Sequence, residues 1–129
     1  MHIDRIDHVA LTVRDVEATC AFYSRIMNMQ VVTFDDGRRA LTFGRQKLNL
    51  HPADAPFSPH ALRPTPGSAD LCFITTSPIA EVVAELHQLG VAIEVGPVRR
   101  TGATGPITSV YFRDPDDNLI EVAEYGRGD

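Results

Sequence analysis

The sequence predicts an α+β fold: two βαβββ modules whose strands form a cupped sheet. Three observations predict it. The chain repeats one layout twice, an apolar strand, an amphipathic helix and then three strands. Its strand-like runs alternate with period two, while its helical runs keep a spacing near 3.6. A Pro-rich stretch without periodicity, about residues 53–68, separates the copies. The boundaries expected are module 1 over about 3–52 and module 2 over about 69–125, within one domain spanning 1–129.

The first copy opens with the apolar run Asp7-His8-Val9-Ala10-Leu11-Thr12-Val13. A helix follows, with Asp15 as N-cap and a stripe of Val16, Cys20, Tyr23 and Met27 widened by Phe22 and Ile26. Strands are expected over 30–34, 39–43 and 47–51, with Asp36-Gly37 turning the chain between the first two. The second copy opens at Ala69-Asp70-Leu71-Cys72-Phe73-Ile74-Thr75. Its helix is expected to have Ser77 as N-cap, Pro78 at the first helical position, and Ile79, Val82, Val83, Leu86 and Leu89 as the buried face. Gly90 stands where a left-handed residue ends a helix. Strands are expected over 92–95, 107–113 and 119–125, the last two joined by the turn Asp114-Pro115-Asp116-Asp117-Asn118. The tail 126–129 reads as frayed.

A chain of 129 residues with 43% hydrophobic and 22% charged residues is long enough to bury a core. The net charge of −5 and the lack of a basic surplus argue against nucleic acid as a partner. No apolar run approaches the roughly 20 residues of a membrane helix, and Met1-His2-Ile3-Asp4-Arg5 has no leader character. No membrane partner and a cytoplasmic location are therefore expected. The two cysteines, Cys20 and Cys72, lack metal-type spacing and read as buried thiols. The basic pairs Arg38-Arg39, Arg45-Lys47 and Arg99-Arg100 are strand-end charges, any of which suits an anionic substrate.

Strand alternation places His8, Ala10 and Thr12 on one face, and Asp70, Cys72 and Ile74 on its counterpart. Lining up 47–50 with 119–122 makes Asn49 the partner of Glu121, with His51 one pleat away. Polar groups among Leu, Ile and Val on central strands are costly unless paired or ligated. The set His8, His51 and Glu121 therefore reads as a divalent-metal site, with Zn, Ni, Fe and Mn all compatible with its mixed N/O donors. Asp70 is a ligand, a base, or a group orienting a histidine, and Asn49 is a hydrogen-bonding group for substrate. The segment Arg99-Arg100-Thr101-Gly102-Ala103-Thr104-Gly105-Pro106 reads as a loop whose N–H groups and guanidiniums form an anion nest. Arg100, Thr101 and, in the closing hairpin, Arg113 join Asn49 as substrate-binding candidates.

Two motifs carry a resemblance. Asp7-His8-Val9-Ala10-Leu11 resembles the opening strand of the vicinal oxygen chelate superfamily, which includes glyoxalases, bleomycin-resistance proteins and ring-cleaving dioxygenases. The run from Phe112 through Asp114-Pro115-Asp116-Asp117-Asn118 to Glu121 resembles its closing hairpin. Segments 47–52 and 65–75 are similar to small lactoylglutathione-lyase-like proteins, some described as virulence-associated. The resemblance implies His8 and Glu121 as metal ligands, a metal-stabilised enediolate, and Glu121 or Asp70 as base. It also implies a homodimer. Three positions depart from the pattern. Asn49 stands where Glu or Gln is usual, Asp70 where His or Gln is usual, and Asp117 where Gly is usual. The function expected is a metal-dependent lyase or isomerase acting on a small oxygenated substrate, anionic or a thiol adduct. Two alternatives stay open: an iron-dependent ring-cleaving dioxygenase, and a drug-binding resistance protein without catalysis.

Overall fold

A computed structural model describes residues 1–126; residues 127–129 of the tail lie outside the described part. The chain divides into two compact units, one ending at Ser68 and one beginning at Ala69. Each is an α+β unit with one helix and one four-stranded sheet. No described helix is long and apolar enough to cross a membrane.

The first unit holds β1 (His8–Val13), α1 (Val16–Met27), β2 (Gln30–Phe34), β3 (Arg38–Phe43) and β4 (Gln46–Pro52) in the sheet order β1-β4-β3-β2. β1 runs parallel to β4, and the other pairings are antiparallel. Asp15 caps α1 as expected, its carboxylate accepting from the Ala18 N–H at 3.0 Å. Arg39 on β3 pairs with Glu17 of α1, which fixes the face that the helix covers. Leu41 shares that face with Arg39, and alternation with the strand pairings adds Leu11, Val13, Leu48 and Leu50; all five are buried. Cys20, Tyr23 and Ile26 close the core from the helix side, Ile26 contributing about 1.5–3 kcal/mol by burial. Thr19 is also buried, because its hydroxyl donates to the Asp15 carbonyl at 2.9 Å. Residues 53–68 form no regular element and belong to this unit, where Phe57 packs edge-on against His51.

The second unit holds β5 (Asp70–Ile74), α2 (Ile79–Gln88), β6 (Val95–Gly102), β7 (Gly105–Arg113) and β8 (Leu119–Tyr125) in the order β5-β8-β7-β6. The two registers match across the repeat: His8 pairs with Lys47 and Ala10 with Asn49, as Asp70 pairs with Leu119 and Cys72 with Glu121. Three expectations need correction. α2 starts one residue later than expected, with Pro78 rather than Ser77 in the cap position and no side-chain cap from its own segment. Instead the Glu124 carboxylate of β8 accepts from the Ile79 N–H at 3.1 Å, a cap supplied from a neighbouring strand. The strand expected over 92–95 lies at 95–102, so Arg99, Arg100 and Thr101 are ladder residues and Ala103-Thr104 is the turn. The supposed nest therefore spends backbone groups on pairing with β7, and the Thr104 N–H donates to Tyr125 Oη at 3.1 Å. Cys72 is exposed, unlike Cys20.

The closing turn is built by Asp114, whose carboxylate accepts from the N–H groups of Asp116 and Asn118 and from the Asn118 side chain. The Asn118 side-chain oxygen accepts from the Ala69 N–H at 2.9 Å, tying the turn to the start of β5. Asp117 takes a left-handed conformation (φ 64°), which Asp tolerates where Gly is usual.

Candidate functional site

Each sheet has one face covered by its helix and one turned away from it. In the second unit, Glu124 marks the helix side through its bond to Ile79. The other face therefore carries Asp70, Cys72 and Ile74 of β5, Leu119, Glu121 and Ala123 of β8, and Ser109, Tyr111 and Arg113 of β7. The register centres Glu121 between Cys72 and Tyr111. Glu121 stands directly beside both in the register, and its carboxylate raises the pKa of each. Arg100 Nε donates to Tyr111 Oη at 3.1 Å, and its guanidinium lies 5.6 Å from that ring. The result is a line of contacts from Arg100 through Tyr111 to Glu121, with Cys72 on the opposite flank.

The environment sets the protonation of this line. Cys72 is exposed as a residue, but partial desolvation of its thiol and then the Glu121 and Asp70 charges push it up to about 11, so it stays a thiol and a donor. Burial is the main cause that raises Tyr111, Glu121 adds to it and Arg100 opposes it, so the phenol keeps its proton at neutral pH. Sequence reasoning missed Tyr111 and Cys72 as site residues. Their signal was present in the alternation, since both occupy the parity that faces Glu121. Ser109 on the same face is wholly buried, with its hydroxyl unpartnered.

The other candidates of this unit separate. Thr101 falls on the opposite side of β6 from Arg100. Arg113 is held by a two-pronged pair with Glu94, both contacts at 3.0 Å, and donates to the Asp117 carbonyl. Asp70 is exposed at the start of β5, close enough to influence the charge states of Cys72 and Arg113.

In the first unit, the face turned away from α1 carries His8, Ala10 and Thr12 of β1 and Lys47, Asn49 and His51 of β4. Arg38, Ala40 and Thr42 of β3 and Gln30, Val32 and Phe34 of β2 complete it. His8 is exposed, its Nδ1 2.9 Å from the Asp7 carboxylate. His51 is buried, and burial, then Arg38 and His60, lower its pKa. Asn49 is 8% exposed, and its Oδ1 is buried without a hydrogen-bond partner.

Within the first unit, the two histidines of the expected metal set lie far apart along the sheet. Among the described residues no three His, Cys, Asp or Glu side chains cluster closely enough to hold an ion. The register gives the reason. His8 pairs with Lys47 and His51 with Thr12, so the two backbone positions stand four residues apart along adjacent strands. At about 3.3 Å per residue that is roughly 13 Å, whereas two nitrogens on one ion lie within about 4 Å. His8 and His51 belong to the first unit, and Glu121 and Asp70 to the second.

Comparison with known proteins adds the following. The model of the Glyoxalase/Bleomycin resistance protein/Dioxygenase superfamily matches residues 5–122. Virulence protein STM3117 of Salmonella typhimurium is 58% identical over 97% of this chain and 87% of that protein. Its crystal structure superposes with a TM-score of 0.97, at 57% identity, over 98% of this chain and 100% of that one. The glyoxalase domain-containing protein RDO1 of Mycosarcoma maydis is 48% identical over 97% of this chain and 70% of that protein. A lactoylglutathione lyase from Agrobacterium tumefaciens has a similar structure, with a TM-score of 0.74 at 26% identity and 96% of each chain covered. The two-sheet α+β layout is that of the glyoxalase-like, vicinal oxygen chelate fold.

Proposed function

Because the chain belongs to the Glyoxalase/Bleomycin resistance protein/Dioxygenase superfamily, we propose that it is a lyase or isomerase that moves a proton on a small, oxygenated, anionic substrate. The observation that carries this reading is the line from Arg100 through Tyr111 to Glu121. Glu121 is the base. It takes a proton from a carbon beside a carbonyl, and its carboxylate is oriented for this by Cys72 and Tyr111. The enediolate oxygen that results is met by the Tyr111 hydroxyl, whose single proton turns to it once Glu121 has become a neutral acid, with Arg100 supplying positive charge behind it. Glu121 then returns the proton to the neighbouring carbon. The similarity to a lactoylglutathione lyase supports thiol adducts of 2-oxoaldehydes as first substrates to try.

The resemblance also implies a divalent ion, whose chemistry would be to polarise substrate oxygens. His8 and Glu121 would be the residues to hold it; the backbone positions of His8 and His51 lie far apart in the register, and the proton steps above are assigned to side chains alone. A homodimer is part of the proposal, to be checked by light scattering in solution.

The test is turnover of the methylglyoxal hemithioacetal with glutathione and with other thiols, followed by thioester absorbance and by deuterium uptake from solvent. Glu121→Gln should lower the rate by about 10²–10⁴. Tyr111→Phe should lower it by about 10²–10³. A wild-type protein that neither turns these adducts over nor exchanges their protons would sink the reading.

A further inference from the structure

The open face of the first sheet has a chemistry of its own that the proton-transfer proposal does not use. Its twelve positions, read from the three pairings, include no Asp or Glu, in a chain whose net charge is −5. Two cations share one ring there: Lys47 Nζ lies 4.2 Å and the Arg38 guanidinium 5.4 Å from the centre of Phe34. Arg38 is also 4.5 Å from the centre of Phe57, so two phenyl groups hold its planar fork. Neither cation forms an ion pair with a carboxylate among the described residues; the Asp7 carboxylate, held by His8, acts on Lys47 only through its charge. Two like charges against one ring repel, and an anion that meets both lowers that cost.

A second observation is independent of charge. Asn49, between Ala10 and Ala40 in the register, is more than nine-tenths buried, yet its Oδ1 accepts no hydrogen bond. A buried acceptor left unmet costs about 1–3 kcal/mol. Such a group is tolerated where a ligand supplies the missing donor. His51, one pleat along β4, is buried on the same face with its ring against Phe57.

We propose that this face binds a small hydroxycarboxylate. Its carboxylate lies against the Arg38 fork and Lys47, its carbon chain on Phe34 and Phe57, and its hydroxyl donates to Asn49 Oδ1. Arginine suits the role because its planar donors match a carboxylate pairwise. Asn49 supplies the discrimination, since an acid without the hydroxyl leaves the buried acceptor unmet.

The experiment is isothermal titration calorimetry of the full chain at low ionic strength, with each enantiomer of malate, with succinate and with inorganic phosphate as probes. One malate enantiomer should bind at least tenfold more tightly than succinate, which differs only in lacking the hydroxyl. Arg38→Met should weaken malate at least tenfold, and Arg38→Lys should retain part of the affinity because it keeps charge without the fork. Asn49→Leu should bring malate and succinate together. Hemithioacetal turnover by the wild type is measured beside these titrations: turnover without malate binding sinks this proposal alone, and malate binding without turnover sinks the proton-transfer reading alone. Circular dichroism and melting curves check that each variant is folded. No binding of either malate, equal binding of malate and succinate, or an unchanged preference in folded Asn49→Leu would each overturn the proposal.

Discussion

Asn49→Leu should make the ligand-free protein more stable while abolishing its preference for a hydroxy acid. Leu and Asn have similar size, and the neighbours on this face are Ala10 and Ala40, both small, so the substitution should fit. In the native chain Asn49 is 8% exposed with Oδ1 unpartnered, which costs about 1–3 kcal/mol. Leu removes that cost and adds apolar burial, while the side-chain N–H groups of Asn are lost. A net gain of about 1–2 kcal/mol is expected. For a chain of this length that corresponds to a rise in melting temperature of about 3–8 °C. Thermal denaturation and urea unfolding, each without added ligand, measure it. The reasoning is refuted if the folded variant is less stable than wild type, since Asn49 would then be contributing stability through a satisfied carbonyl.

Three further outcomes follow from the same geometry. Cys72 is exposed, but with its thiol pushed up to about 11 from an ordinary 9.0 it should alkylate about 100-fold more slowly at pH 8 than an unperturbed thiol; Glu121→Gln should speed iodoacetamide labelling, and an unchanged rate would remove Glu121 as a cause. Burial lowers the pKa of His51, with Arg38 and His60 adding to the effect, so the folded state binds its proton less readily than the unfolded chain does. That contribution to stability is full above the ordinary imidazole value of about 6.5 and declines as pH falls through it toward the lowered folded value. Urea midpoints between pH 8 and pH 5 should therefore drop less in His51→Gln than in wild type; parallel profiles would contradict it. Elemental analysis of His8→Ala and His51→Ala should show that at most one of them loses metal relative to wild type, because their strand positions are roughly 13 Å apart; loss in both would show that the register argument is wrong.

Much of the fold was legible because it is encoded locally. The strand Leu119–Tyr125 was read with its final boundaries, and the Asp15 cap, the Gly90 terminator (φ 75°) and the left-handed Asp117 all follow from single residues at positions their chemistry favours. The repeat alignment of Asn49 with Glu121 also holds in the two registers, because both modules pair their strands in the same way. The start of α2 was misread by one residue, since its cap comes from Glu124, which lies 45 positions further along the chain. The β6 strand was misplaced because Gly102 and Gly105, read as loop formers, pair with each other across the Ala103-Thr104 turn.

The sequence by itself determined the alternation, and therefore which side chains can share a face: His8 with Ala10 and Thr12, Asp70 with Cys72 and Ile74. Tertiary structure decided which of those faces a helix covers, through Arg39 with Glu17 in one unit and Ile79 with Glu124 in the other. It also decided the depth at which each strand sits beside its neighbour. That depth puts Tyr111 beside Glu121, draws Phe57 against His51 and Arg38, and sets His8 far from His51. The reason is physical. Side-chain parity is a property of one extended backbone, whereas register is settled by hydrogen bonds and burial between strands distant in sequence, and no single strand carries that information.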